Sequence, residues 1–218
     1  MFLQNLISQR IDNNAPVKVA LIGAGKFGSM FLSQVPTTPG LEVVIIADLI
    51  PDNARKACKN VGWSEDLISN TKFVDSGIKA ITKSEVEVVV EATGHPSAGI
   101  LHAQTAFRNG KHIVMVNVEA DVLAGASLVK EAKSAGVVYS MAYGDQPALT
   151  AEIVDWARSN GFYVTAAGKG TKYLPEYHKS TPETVWNYYG LTEKEANEAG
   201  MNPKMFNSFL DGTKSSLE

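Results

Sequence analysis

KVALIGAGKFGSMF, at residues 18–31, is the stretch of sequence that decides the fold. Its first five residues are mostly apolar and favour a buried β-strand, and residues 23–28 then read Gly-x-Gly-x-x-Gly before a helix pattern begins. In this setting the first glycine permits a tight turn, the second lets the backbone approach a pyrophosphate, and the third allows close packing of helix on strand. A glycine-rich turn without a ligand is the alternative. The predicted cofactor-binding residues of the turn are Gly23, Ala24, Gly25, Lys26, Phe27 and Gly28.

Short runs rich in valine and isoleucine alternate with amphipathic stretches around this motif. Such runs are typical of strands buried on both faces of a parallel sheet, and their alternation with helices indicates βαβ units. The sequence therefore predicts an α/β fold, the doubly wound parallel sheet of a Rossmann domain, over residues 1–145, followed over residues 146–218 by the start of an α/β catalytic domain. The predicted strands are 17–22, 43–48, 86–92, 112–117, 137–141 and 162–167, and the predicted helices are 27–35, 52–61, 97–109, 121–135 and 147–159.

The ends of the later strands carry further candidates for cofactor contacts, because ligands of open α/β sheets bind outside the carboxyl ends of strands. Asp48 ends the second run 20 residues after Gly28. A carboxylate there can bind the ribose hydroxyls and repel a 2′-phosphate, or it can simply cap the turn that follows. Arg55 can instead reach a phosphate, so NAD and NADP both stay open. The candidates on the nicotinamide side are Thr93, Gly94, Asn117 and Glu119.

The composition limits the classes of partner. Of 218 residues, 44% are hydrophobic and 20% are charged, and the net charge of -3 argues against nucleic-acid binding. No apolar run reaches the roughly 18 residues that a membrane span needs, and the first residues lack the features of a signal peptide. Cys58 is the one cysteine, so no internal disulfide can form. We therefore expect a cytoplasmic protein whose partner is a small molecule.

Six segments of the chain together resemble the homoserine-dehydrogenase-like oxidoreductases. Within them, the match is closest to the branch similar to 1-deoxy-D-xylulose-5-phosphate reductoisomerase, whose members often carry a C-terminal SAF domain. The resemblance covers nearly the whole chain, and its last two segments are more specific to the branch than the first two. The segments are GAGKFG (23–28), EATGHP (91–96), VNVEADVLAG (116–125), YGDQPAL (143–149), GKGTKYLP (168–175) and NPKMFNSFLDGTKS (202–215).

The resemblance implies a two-part NAD(P)H-dependent oxidoreductase, commonly a homo-oligomer. The branch's activity is the reduction and rearrangement of 1-deoxy-D-xylulose 5-phosphate, a small phosphorylated hydroxyketone. Homoserine dehydrogenases have a lysine directly after an asparagine beyond the fourth strand, whereas Val118 and Glu119 follow Asn117 here. This departure argues against homoserine as the substrate. The SAF domain is absent from the sequence, so we expect a fragment with an incomplete catalytic domain.

Three lysines and an aspartate in the second domain are the candidates for catalysis. Carbonyl reduction needs a proton donor or electrophile at the carbonyl oxygen, which a buried lysine can supply. Lys169 and Lys172 lie in a glycine-rich loop that can also hold a substrate phosphate, or they are solvated loop residues. By the resemblance, Asp211 and Lys214 match an Asp and a Lys that serve hydride transfer in homoserine dehydrogenases, at a different spacing. They can equally form an ordinary helix pair.

A divalent metal and two other functions stay open. A reductoisomerase normally uses such a metal, for which carboxylate oxygens are suitable ligands. The carboxylates of this sequence show no diagnostic metal spacing. The alternatives to the reductoisomerase-like function are a homoserine or sugar-acid/polyol dehydrogenase and a non-catalytic dinucleotide-sensing module. The candidate metal ligands are Glu119, Asp145, Glu152, Glu176 and Asp211.

Overall fold

A six-stranded sheet organises the first of the two units into which the chain divides, residues 1–143 and 144–218. The computed structural model describes residues 3–143, 146–168, 174–198 and 200–211. All the strands are parallel, in the order β3-β2-β1-β4-β5-β6. This is the order of a doubly wound sheet, so the predicted Rossmann fold is confirmed. The strands are β1 (Val17–Ile22), β2 (Leu41–Ala47), β3 (Lys72–Val74), β4 (Val88–Glu91), β5 (His112–Met115) and β6 (Tyr139–Met141).

Helices cover both faces of this sheet, and each face has its own apolar core. Successive strand residues point to opposite faces. Ile45 therefore belongs to the core under α5, α6 and α7, while Ile46 belongs to the core under α2 and α3, and both side chains are fully buried. The helices of the first unit are α1 (Leu3–Asp12), α2 (Lys26–Gln34), α3 (Pro51–Asn60), α4 (Glu65–Asn70), α5 (Gly77–Ile81), α6 (Pro96–Arg108) and α7 (Val118–Ser134).

The second unit, where the structure describes it, consists of helices around a small core. Val185, Trp186 and Ala196 are its buried apolar residues. The strand predicted over residues 162–167 is wrong: residues 162–168 have no regular secondary structure, because no described strand of this unit lies beside them to share a ladder. None of the described helices is long and apolar enough to cross a bilayer. The helices are α8 (Gln146–Ser159), α9 (Val185–Tyr189), α10 (Glu193–Glu198) and α11 (Pro203–Leu210).

Candidate functional site

The turn after β1 is held so tightly that two of its glycines admit no side chain. Gly23 has a φ of +93°, and its N–H donates to the carbonyl of Ala47 at 2.8 Å. A Cβ on Gly23 would lie 2.7 Å from the carbonyl oxygen of Ala92, and a Cβ on Gly28 would collide with the carbonyl oxygen of Gly23. The turn is therefore packed between the ends of β2 and β4, and α2 starts directly above β1.

Gly25, by contrast, borders open space. It is the N-cap of α2, in an extended conformation, and a Cβ built on it would have no neighbouring atom within 4 Å. The N-cap residue is a glycine, so it makes no side-chain hydrogen bond to the first N–H groups of α2. The helix dipole adds partial positive charge at the same place. This combination of a tight turn and an open helix N-terminus fits a pyrophosphate.

Asp48 ties the end of β2 to this turn. One carboxylate oxygen accepts from the N–H of Ala24 at 3.0 Å, and the other accepts from the N–H of Ile50 at 3.1 Å. The side chain thus closes the turn before α3, as one sequence interpretation supposed, and also places a carboxylate beside the glycine turn. Leu49 follows with 91% of its surface exposed.

Arg55 lies against an aromatic ring of β3. Its guanidinium carbon is 4.2 Å from the centre of the Phe73 ring on β3, a cation–π contact. Arg55 itself is exposed on α3. The described contacts of Arg55 therefore bind it to the edge of the sheet, while Asp48 lies at the glycine turn.

Thr93 and Asn117 meet beyond the ends of β4 and β5. The Thr93 hydroxyl accepts from the N–H of His95 at 3.3 Å and from the amide nitrogen of Asn117 at 3.4 Å. Asn117 also donates to the carbonyl of His95 at 3.0 Å and, as the N-cap of α7, accepts from the N–H of Ala120 at 3.1 Å. Gly94, between them, has a φ of +68°. The loop 93–95 is thus held by a hydrogen bond within it, from His95 to Thr93, and by two hydrogen bonds from Asn117.

Glu91 and His102 complete this cluster, and sequence reasoning assigned neither of them a role. Glu91 ends β4 and is fully buried; one of its carboxylate oxygens accepts from the Thr93 hydroxyl at 2.6 Å and lies 3.0 Å from Nδ1 of His102. Its other oxygen is buried with no hydrogen-bond partner among the described residues. The signal in the sequence is the carboxylate that ends the run Val88-Val89-Val90, because a charge is rarely placed on a buried strand without a purpose.

Glu119 lies at the same edge of the sheet, exposed in the first turn of α7. A negative charge at a helix N-terminus is favourable, which gives Glu119 a structural role whether or not it also meets a ligand. All the predicted cofactor residues except Arg55 therefore gather at the carboxyl ends of β1, β2, β4 and β5.

In the second unit, Asp211 is the one predicted catalytic residue within the described ranges. It is the C-cap of α11, and its Oδ2 accepts from the amide nitrogen of Asn207 at 2.9 Å. Asn207 is itself buried. The other predicted catalytic residues, Lys169, Lys172 and Lys214, lie outside the described residues, as does the metal candidate Asp145.

The remaining metal candidates do not cluster. Glu152 is exposed on α8, and Glu176 is exposed in the short 3-10 helix Pro175–Lys179. Within the described ranges, no group of three or more His, Cys, Asp or Glu side chains could hold a metal ion. The described carboxylates thus offer no assembled metal centre.

Two groups in the first unit, the buried thiol of Cys58 and the half-buried phenol of Tyr139, stay in their neutral forms. Burial raises the pKa of the Cys58 thiol to about 11, so the thiolate needed for nucleophilic attack is scarce at neutral pH. Burial, together with a hydrogen bond to Asp121 at 2.7 Å, also raises the pKa of Tyr139 well above its usual value. Both groups stay protonated near pH 7, so neither serves as a base.

Two family models match the chain, and they meet at residue 143. The model described as an oxidoreductase family with an NAD-binding Rossmann fold matches residues 17–143. The model described as the catalytic domain of oxidoreductase DRL matches residues 144–218. A comparison with curated proteins gives no significant match.

Solved structures of similar fold include three dehydrogenases. The myo-inositol dehydrogenase of Lactobacillus casei, solved with NAD(H) and myo-inositol, is 19% identical, with a TM-score of 0.50 over 65% of this chain and 42% of its own. The scyllo-inositol dehydrogenase of the same organism, solved with NAD(H), is 13% identical, with a TM-score of 0.50 over 66% and 42%. The WlbA dehydrogenase of Bordetella pertussis, in complex with NADH and UDP-GlcNAcA, is 20% identical, with a TM-score of 0.50 over 67% and 42%. The likeness concerns the fold, and the chain spans about two fifths of their length.

Proposed function

We propose a function for this chain, which belongs to the oxidoreductase family with the NAD-binding Rossmann fold. The chain binds a nicotinamide dinucleotide at the carboxyl edge of its sheet and serves an NAD(P)-dependent oxidoreductase reaction. The observation that carries this proposal is the glycine turn, in which Gly23 and Gly28 admit no side chain while Gly25 opens the N-terminus of α2. When bound, the nicotinamide ring supplies or accepts the hydride.

The residues at this edge divide the work of holding the cofactor. The first N–H groups of α2 bind the pyrophosphate, and Gly25 lets the backbone come close to it. The Asp48 carboxylate, already fixed by two backbone N–H groups, accepts from the hydroxyls of the adenosine ribose. Because the same carboxylate repels a 2′-phosphate, the chain prefers NADH to NADPH.

The substrate that we propose is a small phosphorylated hydroxyketone such as 1-deoxy-D-xylulose 5-phosphate, reduced with or without isomerisation. The match of residues 144–218 to the DRL catalytic domain supports this choice, together with the segments quoted above. In this proposal Lys169 and Lys172 bind the phosphate of the substrate. Asp211 and Lys214 supply the proton that the carbonyl oxygen takes up on reduction. Asp211 is suited to this task because Asn207 fixes its carboxylate at the end of α11.

A fluorescence titration of the 218-residue chain with NADH and NADPH tests the cofactor. We expect saturable binding of NADH, at least about tenfold tighter than that of NADPH, and loss of both in Gly25→Asp, whose carboxylate repels the pyrophosphate. Asp48→Asn should narrow the preference for NADH by removing the charge that repels the 2′-phosphate. Absence of NADH binding to the folded chain would contradict the proposal.

The substrate is tested on the same preparation by the consumption of NADH. We expect 1-deoxy-D-xylulose 5-phosphate to be reduced, whereas homoserine and myo-inositol, tested in the oxidative direction with NAD, should not be oxidised. Oxidation of either would favour the alternative dehydrogenase functions. Tight NADH binding without turnover of any of them would instead favour the sensing module.

A further inference from the structure

Glu91 is an unusual residue to find at the end of a central strand. Its side chain has no exposed surface, and it lies on the face of β4 that packs against α6. An ionised carboxylate loses its hydration when it is buried, and only hydrogen bonds can compensate for that loss. Glu91 receives these bonds on one oxygen only, since the other has no partner within the described residues. A well-packed apolar residue would be expected to stabilise this position at least as well.

The bonds that Glu91 does form lead to the loop 93–95 and to α6. Its Oε1 accepts from Thr93 at 2.6 Å, and this leaves the Thr93 hydroxyl oxygen to accept from the N–H of His95 and the amide of Asn117. The same Oε1 lies 3.0 Å from Nδ1 of His102, in the second turn of α6. One carboxylate oxygen thus fixes both the loop after β4 and the helix that follows it.

His102 has little freedom to move away from Glu91. Its ring is packed against Gly77 at the start of α5, where a Cβ would collide with the ring nitrogen Nε2. The histidine is only 8% exposed. The position of the Glu91 carboxylate is therefore determined by α5 and α6 together, and the loop is attached to a rigid support.

This loop lies in the half of the sheet that receives the second nucleotide. In a doubly wound sheet the adenosine half binds beside β1 to β3, and the other half of the dinucleotide binds beside β4 to β6. The Thr93 hydroxyl forms hydrogen bonds with Glu91, His95 and Asn117, and so it connects the buried carboxylate to the loop at the end of β4.

We infer that Glu91 is a positioning residue of the cofactor site: it holds the loop 93–95, through Thr93, in the arrangement that binds the nicotinamide half of the dinucleotide. The inference rests on the proposed function and adds to it a residue that cannot itself touch the ligand. Glu91 should affect the binding of the nicotinamide half only, because it has no described bond to the glycine turn or to Asp48, which bind the other half. Loss of Glu91 should therefore weaken the binding of NADH and leave the binding of ADP, which lacks the nicotinamide nucleoside, almost unchanged.

Calorimetric titrations of the full chain with NADH and with ADP test this selectivity. In Glu91→Gln, which keeps the size and removes the charge, we expect NADH to bind about tenfold more weakly and ADP to change by less than about twofold. Tyr139→Phe is the matched control, because it removes another side-chain hydrogen bond on the same face of the sheet, the partly buried 2.7 Å bond to Asp121. The control should change the thermal midpoint without changing the ratio of the two affinities.

A double-mutant cycle tests the route through Thr93. Thr93→Val alone should reproduce the selective loss of NADH affinity, and adding it to Glu91→Gln should weaken binding by little more than either change alone. If Glu91→Gln does not fold, the NADH-to-ADP ratio in Thr93→Val decides, because that residue lies on an exposed loop.

Three results would overturn the inference. Affinities for NADH and ADP that fall together would show a general structural role for Glu91. Unchanged NADH affinity in Glu91→Gln would show that Glu91 does not position the loop. Additive effects in the cycle would show that Glu91 does not act through Thr93. These outcomes differ from failure of the proposed function, in which the unmodified chain binds neither NADH nor ADP and the inference falls with it.

Discussion

Two glycines of the same turn have opposite surroundings, and this difference separates stability from binding. A Cβ on Gly28 would meet the backbone oxygen of Gly23, which cannot move without opening the turn, whereas a Cβ on Gly25 would meet nothing within 4 Å. Space around Gly25 therefore serves something other than the packing of the chain. The conformation of Gly25 is extended, so a side chain can be added there without backbone strain.

We predict that Gly28→Ala and Gly25→Ala damage different properties. Gly28→Ala should lower the free energy of unfolding by about 1–3 kcal/mol, as expected for overpacking. Gly25→Ala should leave that free energy within about 0.5 kcal/mol and weaken NADH binding, because the methyl group enters the space of the pyrophosphate. Urea unfolding and NADH titration of both variants measure this. Equal losses of stability in the two would contradict the assigned roles.

Single residues were predictable where their chemistry is local. The glycine turn and Asp48 can be recognised from the spacing of their residues along the chain, and in the structure they lie together at the carboxyl edge of the sheet. Glu91 and His102 lie 11 residues apart in the sequence, and their contact depends on the packing of α6 on β4. No local pattern encodes that contact. The sequence signal for Glu91 itself is an isolated carboxylate after three valines.

Among the elements, α1 shows how one helix is fastened to the amino edge of the sheet. Arg10, in its last turn, bonds both carboxylate oxygens of Glu87 at 2.8 and 2.6 Å and the carbonyl of Ala15 at 2.7 Å. Glu87 also accepts from the N–H of Lys18 on β1. The Arg10 guanidinium lowers the pKa of the Glu87 carboxyl, so folding favours its ionised form.

We predict a pH-dependent contribution from this anchor. A lowered folded pKa means that the stabilisation is present above the unfolded value, about 4.5, and is lost as the pH falls through the folded value. Both side chains are more than a third exposed, so Glu87→Gln should cost only up to about 1 kcal/mol at pH 7. The cost should vanish once the pH is below the lowered pKa of folded Glu87, where the carboxyl is protonated in the folded chain too.

Urea unfolding at several pH values measures this effect. Asp75→Asn is the control, because it also breaks an ion pair, but the Lys79–Asp75 pair is a single contact within one turn of chain and is more exposed than Arg10–Glu87. The control should change the stability at pH 7 by less than Glu87→Gln does, because a more exposed pair contributes less. A cost of Glu87→Gln that is the same at pH 7 and pH 3 would show that the bond acts by shape and not by charge.

The boundaries of elements were predictable where apolar runs are long. The predictions failed where a strand exists only if a neighbouring strand pairs with it. β1 follows the predicted bounds, since its six residues are bounded by proline before and glycine after. β3 has three residues, too few for a periodicity to be visible, and exists because β2 offers its edge. Residues 162–168 are the opposite case: their first residues favour a strand, but no described strand pairs with them. Strand propensity therefore predicts a strand only together with a neighbour.

At the scale of the whole molecule, the chain has separate apolar cores in its two units. The first unit has two large cores, one on each face of the sheet, whereas the described part of the second unit has three buried apolar residues with partly buried neighbours around them. Trp186 is the largest of the three and is 5% exposed. Its ring lies 5.4 Å from that of Phe206 on α11, so it joins α9 to the helix that carries Asp211.

We predict that Trp186→Ala unfolds the second unit and spares cofactor binding. Replacing a buried tryptophan by alanine lowers the free energy of unfolding by about 3–5 kcal/mol, and we expect so small a core to unfold after such a loss. Hydrogen exchange in residues 174–198 and 200–211 should therefore rise strongly, while residues 17–115 stay protected. NADH affinity should change by less than about twofold. Tyr189→Phe is the control, because it keeps a ring in the same cluster and loses only a hydroxyl bond of 3.5 Å. If NADH affinity fell in parallel with protection of the second unit, cofactor binding would require both units, and the assignment of the cofactor site to the first unit alone would be wrong.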